Sequence, residues 1–389
     1  MEDGILKDEV KSELTGLNKG EKAHNEKLIM LGIGIGALLI IIIIIIIIVV
    51  ALTNKESSKK ILGEINCLYF IETISKPTLL LGNDFKKESD FDIYIDNKLI
   101  KYSKEYKFDS IGNHNMQIKL YKKINMNYMF KNVNNLISIE MISENNCKII
   151  SMINTFENCK NLEFFNITGF NGEELLSMHK LFYNSGLVSF YSQYNFTSKV
   201  EDISYMFAFS SIQQFILSDL NLNKLINMSH MFENCASLTN IDLSNLETNN
   251  IKDISYMFYS CESIISLDFT DFNTNRVIDM SHLFQNCISL SDLKISNLIT
   301  TNVIDMSYMF ESCHSLALID LSYFDTSNVK NISHMFQLCN LLESIDLSNF
   351  DTKNVEDTSG LFSSCKLLKE IDISNFNLIN NKDMSDMFS

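Results

Sequence analysis

The sequence predicts an α/β repeat solenoid, a stack of short strands and short helices, preceded by a transmembrane helix and a small β-rich module. Three observations predict it: a phenylalanine that returns at a fixed period, a period-two apolar pattern inside each period, and a 25-residue uncharged run near the start.

The recurring phenylalanine falls at Phe130, Phe156, Phe182, Phe207, Phe232, Phe258, Phe284, Phe310, Phe336, Phe362 and Phe388, spaced by 26 residues except for two gaps of 25. Units of this kind cannot bury an apolar face alone; stacking neighbours gives them one continuous core. The unit from Phe310 to Phe336 reads FESCHSLALIDLSYFDTSNVKNISHMF. Its Leu316, Ile319 and Leu321 recur as Leu342, Ile345 and Leu347 in the next unit. Ile319 and Leu321 alternate with Asp320 and Ser322, which reads as a short strand with one polar face. Further apolar points, Phe324 and Val329 here, complete the inward face. The segment Asp305-Met306-Ser307-Tyr308-Met309-Phe310 reads as a capped short helix, its Asp or Ser accepting from the first free amides.

Leu28 to Leu52 carries no charge and includes nine consecutive isoleucines, Ile40 to Ile48. As a helix it would reach roughly 37 Å, enough to cross a hydrocarbon core with some tilt. It is too long and too deep in the chain for a cleaved signal peptide, so a retained signal anchor is expected. Five lysines precede it (Lys7, Lys11, Lys19, Lys22, Lys27) and three follow closely (Lys55, Lys59, Lys60). That bias places the N-terminus in the cytoplasm and the repeats outside, at the cell surface. The expected organisation is a polar cytoplasmic tail over 1–27, a transmembrane helix over 28–52, a stalk over 53–60, a small β-rich module over 61–123 and the solenoid over 124–389. In the β-rich module, Phe91 to Ile95 alternates, Asp96-Asn97 is a turn signal, and Met116, Ile118 and Leu120 alternate again. Its role is an end cap over the first repeat or a separate binding domain.

The net charge of −16 argues against a nucleic-acid partner, since phosphate binding needs a basic footprint. No nucleophile elbow, P-loop, zinc-protease or dinucleotide motif is present, so neither an enzyme nor a cofactor is expected. Seven of nine cysteines sit at one place in the period: Cys159, Cys235, Cys261, Cys287, Cys313, Cys339 and Cys365. They read as small buried core residues rather than metal ligands. On that reading Cys287→Ser costs about 1–3 kcal/mol, because a hydroxyl there lacks a partner. Cys67 and Cys147 lie off this ladder, and whether they pair is open. Asp242, Asp268, Asp320, Asp346 and Asp372, interrupted by Lys294, read as a solvated face rather than a calcium cage. Asn166, Asn195, Asn227 and Asn331 open glycosylation sequons that matter only in a eukaryotic secretory product.

The pattern C-x-S-L-x-x-I-D-L-S-x-F-D-T-S-N-V-x-D-M-S-x-M-F-x-x-C resembles the BspA-type leucine-rich repeat surface proteins of bacteria and protists. The resemblance covers about residues 124–389 and is tightest from Phe232 to Phe362. It implies a leucine-rich solenoid at the cell surface, with roles in adhesion. Ser185 and Ser210 depart from it at the cysteine position, and residues 163–226 keep the period while blurring the motif.

A candidate contact surface lies two residues before each anchor, where Tyr205, His230, Tyr256, His282, Tyr308 and His334 follow one another before Gly360 and Asp386. Polar-tipped aromatics there imply partial exposure, and stacking would set the rings in a row about 5 Å apart. Successive histidines, two units apart, are too distant to share a metal ion. The expected function is a single-pass membrane protein presenting its array to protein or glycan ligands. A coat or spacer without a specific ligand is the alternative.

Overall fold

Two kinds of β pairing meet in residues 61–389, which form one of the chain's two units, the other being residues 1–60. The computed structural model describes residues 59–192, 194–216, 220–244 and 247–389. The expected cytoplasmic tail and transmembrane helix, with most of the stalk, lie outside these residues. No helix among the described residues is long and apolar enough to cross a membrane.

The first kind of pairing is antiparallel. Strands β1 (Gly63–Ile71) and β6 (Gly112–Leu120) run opposite each other over their full length, Gly63 facing Leu120. Alternation decides their faces: Ile65, Cys67, Tyr69 and Ile71 are buried, as are Met116, Ile118 and Leu120. Strand β3 (Phe91–Ile95) pairs with β6, and β4 (Lys98–Ile100) returns beside β3. Asp96 and Asn97 both adopt positive φ (48° and 66°) between them, as a two-residue hairpin turn of matching twist requires. Between these strands β2 (Thr78–Leu79) pairs with β5 (Glu105–Tyr106).

The second kind is parallel, between successive coils. The short strands β7 (Ile124–Asn125) and β9 (Ile149–Ser151) pair in this way. So do β8 (Leu136–Ile142), β10 (Phe164–Thr168) and β11 (Ser189–Ser192). Because β1 pairs with β8 on its other edge, the two systems fuse into one seven-stranded sheet, ordered β11-β10-β8-β1-β6-β3-β4. Farther along, β12 (Gln214–Ile216) pairs with β13 (Asn240–Asp242), and β14 (Ser266–Asp268) with β15 (Asp292–Lys294). No strand is present among the described residues beyond Lys294. There the alternation persists only as burial: Leu321 and Leu347 are enclosed, while Asp320 and Ser322 are exposed.

One column of rings runs through the core. The eleven anchor phenylalanines stack face to face with centroids 5.2–6.2 Å apart and planes within 18°. All but Phe388 are buried.

The α half of the expected fold class is corrected. The only helix among the described residues is a single 3-10 turn, Tyr194–Thr197. The segment before each anchor is a run of tight turns, and the molecule is a β-solenoid of stacked coils.

Candidate functional site

The backbone explains why those segments are not helices. In the coil of Phe284, the amides of Met280, His282, Phe284 and Asn286 donate across to Asp305, Ser307, Met309 and Glu311 of the next coil. The intervening amides of Leu283, Gln285 and Cys287 close turns onto Met280, His282 and Phe284. An α-helix sends every amide to its own i−4 carbonyl, and this alternation cannot. It is achieved by placing His282 (φ 58°) and Asn286 (φ 62°) in the left-handed region. Every coil with both positions described repeats the device two residues before and two after its anchor, from Tyr128 and Asn132 to Gly360 and Ser364. Asn, Asp and His tolerate this region best among residues with a side chain. Asn132, Asn158, Asn184, Asn234 and Asn286 recur there accordingly.

The left-handed position before each anchor is where the six candidate residues stand. All six are half-buried. Their rings form a continuous column, Tyr205–His230–Tyr256–His282–Tyr308–His334, with centroids 4.0–4.6 Å apart and planes within 17°. Each imidazole is also held at its edge. His230 Nδ1 lies 2.7 Å from Glu233 Oε2, His334 Nδ1 lies 2.8 Å from Gln337 Oε1, and His282 Nδ1 bonds to Gln285 Oε1. Burial holds the His282 imidazolium below its usual range, and burial with nearby carboxylates raises the phenols of Tyr205, Tyr256 and Tyr308. These phenols therefore remain hydrogen-bond donors at neutral pH.

The column has defined ends. Lys180 occupies the preceding position and sets Nζ 5.0 Å from the centroid of Tyr205. Gly360 occupies the following one at φ 58°, and a Cβ there would come within 2.3 Å of His334 Nδ1. A side chain there would require the His334 ring to shift.

Beside this column run ladders that hold the coils in place. Each ladder thiol donates to the carbonyl of the preceding coil's anchor, Cys287 to Phe258 at 3.1 Å and Cys313 to Phe284 at 3.2 Å. A hydroxyl at Cys287 thus finds an acceptor, and the expected cost of Cys287→Ser is corrected downward. Burial pushes the Cys287 thiol up to about 12. All nine cysteines are free, Cys67 and Cys147 included.

A threonine ladder, not singled out in the sequence, lies sixteen residues past the anchor at Thr248, Thr274, Thr300, Thr326 and Thr352, all buried. Thr300 Oγ1 donates to Asp325 O at 2.9 Å and accepts from Asp325 N–H at 2.8 Å, clipping both backbone groups of one residue in the next coil. Thr274 does the same for Ile299, and Thr326 for Asp351. The recurrence of Thr at this place was the available signal.

The strand-face carboxylates are tied down locally. Asp242, Asp320, Asp346 and Asp372 each accept the amide of a serine two residues on, which holds their carboxyls below the usual range. Lys294, which interrupts the ladder, pairs with Asp268 at 2.9 Å. A second acidic row, Asp253, Asp279 and Asp305, lies between Asn227 and Asn331 along the bridges that join the coils. Burial raises the carboxyl of the middle member, Asp279. No group of three or more His, Cys, Asp or Glu among the described residues is placed to hold a metal ion.

Coils that touch only their neighbours and repeat one side-chain set define the class, a repeat β-solenoid. A family model described as "Mycoplasma protein of unknown function, DUF285" matches residues 101–214, 188–292, 261–346 and 283–389. These overlapping matches run through most of the chain, which belongs to this family. No curated protein and no solved structure matches it.

Proposed function

We propose that the chain is a non-enzymatic, single-pass membrane protein that presents its solenoid at the cell surface for protein or glycan recognition. On this reading Leu28 to Leu52 spans the membrane with residues 1–27 in the cytoplasm, and the finer kinship is to the BspA-type surface proteins. The observation that carries the recognition reading is the column of six half-buried tyrosines and histidines, which repeats one polar-edged ring per coil. A regular row of such edges suits a ligand contacted across several coils at once, where weak contacts add. The decisive variant is Tyr256→Ser, His282→Ser and Tyr308→Ser together. The expected result is loss of cell or partner binding with little change in melting temperature. Lower melting with binding retained removes the column from the contact surface.

One observation favours the alternative of a coat or spacer. The ring faces are spent on one another at 4.0–4.6 Å, so only edges remain for a ligand. Topology is tested separately. Protease added to sealed cells should remove the repeats and spare an N-terminal tag; protected repeats would reverse the orientation.

A further inference from the structure

The outer face of the seven-stranded sheet carries a second surface that no repeat pattern announces. Strand register sets six side chains in one line across six strands. Tyr94 on β3 faces Gln117 on β6, which faces Asn66 on β1, then Glu140 on β8, Asn166 on β10 and Tyr191 on β11. With neighbouring strands ~4.8 Å apart the line is roughly 24 Å long. A tyrosine stands at each end, and three carboxamides and one carboxylate lie between. All six are half-buried or exposed, because the opposite alternation sends Cys67, Met116, Ile118, Ile139 and Phe165 into the core.

Two concavities lie along this line. A groove of about 510 Å³ is lined by Tyr94, Gln117, Asn66 and Glu140, together with Leu68 and Phe164 of the adjacent row. Another of about 590 Å³ is lined by Tyr191 at the far end. Some polar groups are pre-set. Gln117 Nε2 donates to Glu64 Oε2 at 3.2 Å and to Asn66 Oδ1 at 3.1 Å, which commits both amide hydrogens and leaves the carbonyl as the group's acceptor. Near the other end, Asn166 Oδ1 is enclosed and has no donor. That carbonyl is closed to a ligand, so the groups this end offers are the exposed Glu140 carboxylate and Tyr191 phenol.

We propose that this face binds a neutral oligosaccharide in an extended conformation. Carboxamides both donate and accept, which matches sugar hydroxyls that do the same. Phenol and phenyl rings offer flat apolar faces to the C–H faces of pyranose rings; Tyr191 and Phe164 are exposed for this, while Lys119 Nζ lies 4.8 Å from the centroid of Tyr94 and covers one of its faces. Charge argues against an anionic ligand, since the line's one charged member is the Glu140 carboxylate and the chain is acidic overall, and Lys119 against Tyr94 disfavours a cationic one. A peptide adding as a strand would use a sheet edge, which the line meets at Tyr191 on β11 and on which its four middle members do not lie. The proposal rests on reading the chain as a recognition protein, but it uses a different surface from the ring column.

The test uses the full chain, produced in bacteria so that Asn166 carries no glycan and held in a detergent without a sugar headgroup. Maltotetraose, cellotetraose and chitotetraose are titrated by calorimetry and by saturation-transfer NMR. At least one is expected to bind, and Tyr191→Ala and Asn66→Ala are each expected to weaken it at least tenfold with melting unchanged. Tyr191 is 58% exposed, so its removal does not endanger folding. Absence of binding by all three sugars overturns the proposal, as does binding that survives both substitutions. The Tyr256, His282 and Tyr308 serine variant should bind the same sugar undiminished. If cell attachment fails in every assay while sugar binding persists, the adhesion reading falls and this one stands. Attachment lost only in the ring-column variant, with no sugar bound, gives the reverse.

Discussion

The two halves of the solenoid solve the same packing problem with different bonds. Near the N-terminal end, nine-residue strands β1 and β6 and the seven-residue β8 are joined by long ladders of backbone hydrogen bonds. From Phe232 onward, where the sequence is most regular, strands shrink to three residues and then disappear. Coils there are joined instead by the phenylalanine column, the thiol donors, the threonine clips and the alternate amides of the turns. Sequence regularity therefore reports side chains that must meet their own copies in the next coil. A β-sheet needs no such identity, because its bonds come from the backbone, and the coils that rely on it are free to blur their motif.

The largest expected effect separates whole coils from fractions of them. Removing residues 285–310, one full period, should leave a cooperatively folded chain. Removing 285–297 puts every later ladder out of phase and should abolish cooperative unfolding of the C-terminal coils, as followed by circular dichroism. A half-period deletion that melts like the whole-period one would mean the ladders do not set the phase.

Next comes Thr300→Val, which keeps the shape and deletes both bonds to Asp325. Leaving an enclosed amide and carbonyl unpaired should cost about 2–4 kcal/mol in urea unfolding. Cys287→Ser, which keeps a donor for the Phe258 carbonyl, should cost less than Cys287→Ala. In the N-terminal coils the threonine position holds Gly172 and then Thr197, whose hydroxyl donates to Asn221 O at 3.0 Å, so the ladder there is broken rather than continuous. A negligible effect of Thr300→Val would put the C-terminal coils on the same footing as the sheet.

A smaller effect follows from acid. His282 is held below its unfolded value of about 6.5, chiefly by burial. Above that pH both states are neutral and His282 costs nothing. As the pH falls below it, the unfolded chain takes up the proton first and stability declines until the folded imidazole also titrates. The melting temperature should drop between pH 7 and 5, and His282→Phe should flatten that slope. The smallest effect is a gain. Leu338 holds φ 60° where five other coils place Asn, and Leu338→Asn should raise stability by about 0.5–1 kcal/mol. A loss would show that its half-buried side chain matters more than its backbone strain.

The period, the buried faces and the placement of the candidate rings were legible because each recurs and because burial follows polarity. The turns were not. An amide pattern that alternates between coils leaves the same Ser, Met and Phe spacing as a capped helical turn, and only the returning Asn two residues past the anchor distinguishes them. Part of the His and Asn signal near the anchors thus reflects left-handed backbone rather than contact. The line from Tyr94 to Tyr191 could not be read at all. Its members come from six strands of unequal spacing, and a slip of one residue in any pairing would send that residue to the core.

The alternation of tyrosine and histidine has a period of two coils, twice that of everything else in the array. Repeat chains are prone to misassembly in which one unit takes the place of its near-identical neighbour. Against the phenylalanine column such an error is silent, since every ring is the same. In the outer column a skip of one coil sets imidazole on imidazole or phenol on phenol, and only a skip of two restores the order. The outer column thus carries a parity that the inner one lacks, and Gly360 marks where it ends.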